Sequence, residues 1–261
     1  MTKAKKELGQ NFLVDSLVIE KILNYINPKN HESFLEIGPG KGAITEDLSR
    51  LSLSLDVVEI DKDLIPNLVK LNKLHNNLSV HQLDILKFNF NDLSRKKSKY
   101  RVVGNLPYNL SSQIILWSLK HLDHVKDFHY MFQKEFGARL LAKPGNKSYG
   151  RISILSQYML KGIALLKIFP ESFNPKPSVE SMLIKFTPIK GRNIRSQEAV
   201  RLQKLTAMLF SKRRKKISSS CKNLLTINQL IDMKINPDDR PESLRVSDFL
   251  RMTNYLIKKN A

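Results

Sequence analysis

Asn105-Leu106-Pro107-Tyr108 is the segment of this chain best suited to chemistry at a poorly nucleophilic amine. The exocyclic amine of adenine is such a group, because its lone pair is delocalised into the ring. The Asn105 side-chain oxygen and the Leu106 main-chain carbonyl can together accept both of its N–H bonds. That favours a rehybridised nitrogen and stabilises the positive charge that grows as it attacks a methyl sulfonium. Pro107 fixes the backbone there and adds no competing donor. Tyr108 offers a face on which an extruded base can stack, worth roughly 1–3 kcal/mol. Asparagine is not a base, so the expected contribution is in-line positioning rather than proton abstraction. Read alone, the tetrapeptide is equally an ordinary turn; its place after a strand, in a chain that also carries a cofactor loop, favours the chemical reading.

That loop is Phe34-Leu35-Glu36-Ile37-Gly38-Pro39-Gly40-Lys41-Gly42-Ala43-Ile44-Thr45, a strand running into a glycine-rich turn and a helix start. Gly38 and Gly40 allow positive φ and a close approach of ligand to backbone. The spacing is neither G-x-G-x-x-G nor a P-loop, and Glu36 is ill suited to a phosphate but compatible with an ammonium or sulfonium. Glu59 and Asp61 close the next strand, where an acid about 20 residues beyond the loop can accept hydrogen bonds from ribose hydroxyls. Asp84 follows a third strand and is placed to meet an adenine amine. Phe173, in the stiff loop Phe173-Asn174-Pro175-Lys176-Pro177, either closes the other face of an extruded base or anchors that loop into the core.

These groups need a frame that aligns strand ends. Ser33–Gly38, Ser54–Ile60, Leu78–Gln82, Tyr100–Asn105 and Phe128–Phe132 read as strands, with helical patterns such as Ser112–Leu122 and Gln133–Leu141 between them. The alternation predicts an α/β fold with a parallel, doubly wound, Rossmann-like sheet. Ile163–Phe169 and Ser181–Pro188 follow each other without a clear helix and read as an antiparallel hairpin at one edge. After Pro188 the pattern turns helical, with Leu202, Leu205, Leu209 and Phe210 at apolar positions. The expected domains are 1–189, catalytic, and 190–261, small and all-helical.

Charge separates the two further. The chain carries 44 Lys and Arg against 24 Asp and Glu, a net +20; residues 188–261 hold 17 basic and 6 acidic side chains, more than half of that excess. Such a surface favours a polyanion. Lys212-Arg213-Arg214-Lys215-Lys216 is the run expected to grip an RNA backbone. A second group, Arg95-Lys96-Lys97 with Lys99 and Arg101, is as readily a solvated face. The single Cys221 excludes an internal disulfide framework and reads as a packing residue. His121 and His124 lie one helical turn apart without an acidic partner, so no metal site is expected. No apolar run approaches the roughly 18 residues of a membrane span, and no apolar stretch follows the basic N-terminal residues. The expected location is cytoplasmic, without membrane attachment, and the expected state is monomeric.

Taken in order along nearly the whole chain, these segments resemble the ribosomal RNA adenine N6,N6-dimethyltransferase family, the bacterial KsgA/RsmA proteins and their eukaryotic counterparts. The resemblance is carried by Gly9-Gln10-Asn11-Phe12-Leu13, Leu35–Gly40, Val58-Glu59-Ile60-Asp61, Asp84, Gly104–Tyr108 and Gln133-Lys134-Glu135. It continues through Phe173-x-Pro175-x-Pro177-x-Val179-x-Ser181, Phe210-x-x-Arg213-Arg214-Lys215 and Arg240-Pro241-Glu242. It implies that Asn11, Leu13, Gly38, Glu59, Asp84 and Asn105 contact S-adenosylmethionine, and that Asn105, Leu106, Tyr108 and Phe173 handle the target adenine. It implies dimethylation of two adjacent adenosines in the 3′-terminal hairpin of 16S rRNA, within an immature small subunit. It also implies that the N-terminal segment closes over the cofactor. The chain departs from the family pattern at Glu7-Leu8 and at Ile217-Ser218-Ser219-Ser220. Two rival readings share the core motifs: a 23S rRNA adenine methylase of the macrolide-resistance type, and a non-catalytic ribosome-assembly factor.

Overall fold

A computed structural model describes residues 4–93 and 99–259. Arg95, Lys96 and Lys97 of the second basic group lie outside the described residues. By internal contacts the chain falls into two compact units, residues 1–137 with 162–188, and residues 138–161 with 189–261.

The first unit is built on strands β1 (Phe12–Leu13), β2 (Ser33–Ile37), β3 (Ser54–Glu59), β4 (Leu78–Gln82), β5 (Tyr100–Asn105), β6 (Val125–Gln133), β7 (Leu160–Ile168), β8 (Phe173–Asn174) and β9 (Ser181–Pro188). Its helices are α1 (Ser16–Ile26), α2 (Thr45–Leu51), α3 (Ile65–Leu74) and α4 (Ser111–Lys120), and the boundary between the units falls within α5 (Lys134–Leu140). Seven strands form one sheet in the order β4-β3-β2-β5-β6-β9-β7. The pairs from β4 through β6 are parallel, and β9 runs antiparallel to β6. β2 and β3 are buried at every position, which explains why they read as continuous apolar runs rather than alternating ones. From β2 the chain winds outward through β3 and β4, then returns to lay β5 on the other side of β2. The crevice outside the carboxyl ends of β2 and β5 is therefore the sheet's switch point, where ligands of such folds bind.

The two late strands are neighbours, as expected, but β9 sits inside, bonded to β6 over Phe128–Gln133, and β7 takes the edge. α1 begins where Asp15 accepts from the amides of Leu17 and Val18, and ends at Asn27 in the left-handed region. Its last carbonyls are not left to water. Arg101 Nη2 donates to Ile26 O at 2.7 Å and Nη1 to Asn27 O at 3.3 Å, while the same guanidinium meets Asp127 at 2.9 Å and Glu32 at 2.7 Å. Arg101 is only 4% exposed. It is a buried lock between α1, β5 and β6, not a member of a surface cluster; a continuous basic run gives no hint that one member points inward. His121 and His124 join Phe90 and Trp117 in an aromatic group beside α4.

The second unit contains α6 (Arg151–Met159), α7 (Gln197–Ser211), α8 (Ile217–Ser220), α9 (Ile227–Asp232) and α10 (Val246–Lys259). α7 buries Ala199, Leu202, Leu205, Thr206 and Leu209, and α10 buries Phe249, Met252, Thr253 and Leu256, the spacing of one helical face. Ser196 caps α7, and Thr226 with Gln229 forms a capping box on α9. The sequence reading assigned residues 138–161 to the first domain. In the structure α6 packs on α7 and α10, and Tyr158 donates to Glu198 at 2.6 Å under the Arg192 guanidinium. Cys221 is buried and bonds the Ile217 carbonyl. Among the described residues, no helix is long and apolar enough to cross a membrane.

Candidate active site

A cleft opens at the switch point of the first unit, lined by the turn after β2, the ends of β3 and β4, the segment after β5, and residues 8–13. The glycine turn forms because Gly38 and Gly40 both adopt positive φ, +63° and +61°. A side chain on Gly40 would press on the Phe12 ring at 3.0 Å, so the turn and the N-terminal segment fit together only with glycine there. Gly38 N donates to Val58 O, tying the turn to β3.

Two acids sit deep beside this turn. Glu36 is 2% exposed and receives a hydrogen bond from Thr45 Oγ1 at 2.8 Å. Burial, reinforced by the nearby Glu59 charge and only partly opposed by Thr45, pushes its carboxyl up to about 8. Glu59 accepts from Gly40 N at 3.2 Å and Asp61 N at 2.9 Å. Its burial raises its pKa, and the backbone N–H groups pull the other way. Asp84 caps a short turn by accepting from Leu86 N at 2.9 Å. Apolar walls from Ile37, Val58, Ile60, Leu83 and Ile85 complete this end. Carboxylates at the strand ends, a glycine cradle and an apolar slot fit an adenosine cofactor bearing a cation.

At the other end, Gly104 pairs with Ile37 across β5 and β2, which brings Asn105 directly opposite the glycine turn. Asn105 Nδ2 donates to Asn11 O at 2.8 Å, leaving Oδ1 as the end of the amide free to accept. Leu106 N is bonded to Met131 O at 3.2 Å and its side chain is buried, so the segment is held to β6. Tyr108 Oη lies 2.8 Å from Ser181 Oγ; burial raises its pKa against that bond, so the phenol stays neutral. His129 lines the floor of the cleft, and burial outweighs the pull of Asp127 to lower its pKa to about 4. The floor therefore carries no positive charge that would repel a cationic ligand.

Residues 5–12 lie along the rim. Lys5 Nζ is 2.5 Å from Asp61 Oδ1 and 2.7 Å from Asp63, and Gln10 Nε2 donates to Asp61 Oδ2 at 2.7 Å. Burial alone would raise Asp61, but these partners outweigh it and hold its carboxyl below the usual range.

The structure brings Asn11, Leu13, Gly38, Glu59, Asp84, Asn105, Leu106, Pro107 and Tyr108 into one cleft. Phe173 is not among its lining residues. It is 3% exposed, in register with Leu13 where β8 pairs with β1, and packed into the core. Of the two readings open for this aromatic, the anchor is the one seen, because pairing with β1 turns its ring inward. Lys212, Arg214, Lys215 and Lys216 are exposed in the second unit. Arg213 is instead half-buried, donating to Glu242 at 2.5 Å and to Lys147 O at 2.7 Å. His129 lines the cleft without having been singled out for a role there, and Thr45 and Ser181, outside its lining, bond Glu36 and Tyr108 from behind. Ser181 lay within a quoted motif, whereas nothing local marks His129.

A family model described as ribosomal RNA adenine dimethylase matches residues 1–258. The ribosomal RNA small subunit methyltransferase A of Marinomonas sp. (strain MWYL1) is 42% identical over 258 residues, 98% of this chain and 97% of that protein. A dimethyladenosine transferase from Plasmodium falciparum has a similar structure, with a TM-score of 0.82 at 26% identity, covering 95% of this chain and 98% of that one. The 23S rRNA methyltransferase ErmE has a TM-score of 0.76 at 21% identity, covering 95% of this chain and 100% of that one. Identity that low speaks to a common fold alone.

Proposed function

The chain belongs to the ribosomal RNA adenine dimethylase family, and from that premise we propose that it methylates N6 of two adjacent adenosines in the 3′-terminal hairpin of 16S rRNA. The methyl donor is S-adenosylmethionine, which supplies an electrophilic methyl on a sulfonium. The observation that carries this reading is the Asn105 amide. Its nitrogen is committed to Asn11 O, so its oxygen is the atom turned to an incoming amine.

Each residue then has a physical task. Glu59 accepts from the ribose hydroxyls and Asp84 from the adenine amine of the cofactor, while Gly38 lets the ligand lie against the backbone and Asn11 and Leu13 cover it. Asn105 Oδ1 and Leu106 O accept the two N–H bonds of the target amine, so charge growing on that nitrogen is met by preset dipoles. Pro107 holds the turn rigid, and Tyr108, neutral and braced by Ser181, offers its ring to the base. Phe173 supports Leu13 from behind. Lys212, Arg214, Lys215 and Lys216 of the basic unit contact the RNA backbone. The substrate is the immature small subunit, met in the cytoplasm by a monomer.

Transfer of labelled methyl to small subunits from a strain lacking the modification, with 23S rRNA in parallel, tests this. Label recovered as N6,N6-dimethyladenosine in 16S rRNA is the expected outcome. Label confined to 23S rRNA would sink the substrate assignment, and tight subunit binding without label would sink the catalytic one. Precursor and mature particles assayed side by side, with size measured by sedimentation, check the subunit's maturity and the monomeric state.

A further inference from the structure

We propose that Asp61 is a positioning residue for methyl transfer: it anchors residues 5–12 as a strap across the cleft, and the strap sets which end of the Asn105 amide faces the target amine. This rests on the functional reading above and adds to it a residue that contacts neither base nor methyl group.

The links form an unbroken series. Asp61 stands just past the carboxyl end of β3 with its side chain fully covered. One carboxylate oxygen takes Lys5 Nζ and the other takes Gln10 Nε2. Gln10 is itself fixed at both ends of its amide, since Oε1 accepts from Lys5 N at 2.8 Å. It cannot flip without losing both bonds, so a residue that both donates and accepts is required at this position. Gly9, at φ +63°, turns the strap so closely against the catalytic segment that an added Cβ would meet Asn109 Oδ1 at 3.0 Å and Pro107 at 3.5 Å. Two residues on, the carbonyl of Asn11 is the acceptor for Asn105 Nδ2, and Phe12 then seats under Gly40.

The two ends of an asparagine amide are nearly equal in shape and opposite in hydrogen bonding. What fixes Asn105 is the Asn11 carbonyl, and what fixes that carbonyl is a strap held by Asp61. Freed from it, the amide can present its NH2 to the target amine, donor against donor. Asp61 N also donates to Glu59, so one short stretch of β3 governs both the ribose acid and, through the strap, the acceptor amide.

Three variants test this in the full-length protein: Asp61→Asn, Gln10→Glu and Gln10→Ala. The Gln10 changes lie at the rim and leave the core untouched, so they remain informative if Asp61→Asn folds poorly. Amide hydrogen exchange over residues 8–12, measured with no cofactor added, is expected to accelerate on the order of tenfold as the strap loosens. In methyl transfer to small subunits, kcat is expected to fall on the order of ten- to a hundredfold, with KM for the subunit within about twofold. A merely structural role would lower melting temperature without that split. Exchange and kcat both unchanged in Gln10→Glu and Asp61→Asn would overturn the proposal, as would faster exchange with kcat unchanged. Absence of transfer by the unaltered protein would fail the functional reading instead, and the exchange rates would still uphold or overturn the strap.

Discussion

A group that faces an aromatic amine has to accept hydrogen bonds, and in the role proposed for Asn105 its oxygen is left to do so because Nδ2 already donates to Asn11 O. Asn105→Ala is expected to lower kcat on the order of a hundredfold or more, with subunit affinity retained. Assays of turnover and binding on the same preparation check it, and parallel loss of both would remove the assigned role. Glu36 gives a second expectation, in pH. Burial pushes its carboxyl up to about 8 in the folded protein, from an ordinary value of 4.5. Between those values the folded state binds the extra proton, so this group makes stability fall as pH rises through that window. Glu36→Gln cannot release a proton. The variant is therefore expected to gain melting temperature relative to the parent as pH goes from 5 to 8, read from thermal melts at intervals between. At this scale the sequence carried the cleft residues well, since glycine, asparagine and acid at strand ends announce themselves by type. It carried inward-turned residues poorly: Arg101 and Phe173 were placed by pairing partners 69 and 160 positions away, Glu32 and Leu13.

Gly104 shows how much the elements leave to spacing. A Cβ there would lie 2.8 Å from both Ile37 O and the Leu106 side chain, so β5 can lie against β2 only without one. Gly104→Ala is expected to cost about 1–3 kcal/mol and to lower turnover beyond its effect on folding, because the displaced segment carries Asn105. Denaturant titration alongside turnover checks both. A second expectation concerns Arg101. Arg101→Ala leaves Asp127 and Glu32 without their shared partner and uncaps α1, an expected loss of about 3–5 kcal/mol by the same titration. The parallel strands were legible because burial on both faces gives them unbroken apolar runs, and their order follows from alternation with helices. The insertion of β9 between β6 and β7 was not legible. Its register is set by contacts with residues some 50 positions earlier, and two runs read as an edge hairpin do not say which of them faces the sheet and which takes the edge. α6 misled for a similar reason: its buried face is matched to α7, and only its place in the chain suggested the first domain.

Over the whole molecule, a net +20 concentrated toward the C-terminal end fits a polyanionic partner, yet the cations of the basic run do different work. Arg213 joins its own segment to Glu242 and to Lys147 O, linking the basic run to Arg240-Pro241-Glu242, the later of the two segments that carry the family resemblance in this unit. Arg213→Ala is expected to lower the melting temperature of the second unit. Arg214→Ala is expected to leave it unchanged and to reduce the slope of log affinity against log salt by about 0.7–0.9 for one lost phosphate contact. Melting curves and RNA binding across a salt series separate the two; matching behaviour would refute the division. Charge counts identify the class of partner, but only geometry tells which cations are already engaged.

Trp117 is the sole tryptophan in the chain. It lies buried on α4, donating Nε1–H to Phe88 O and stacked on Phe90. α4 starts three residues after Tyr108, so fluorescence excited selectively at tryptophan, beyond the absorption of the seven tyrosines, originates at a single indole on the helix that follows the Asn105–Tyr108 turn. A buried indole of this kind is expected to emit toward the blue, and no other tryptophan contributes. Any spectral change on adding RNA or cofactor therefore reports the neighbourhood of α4, with no label to attach and no assignment to make.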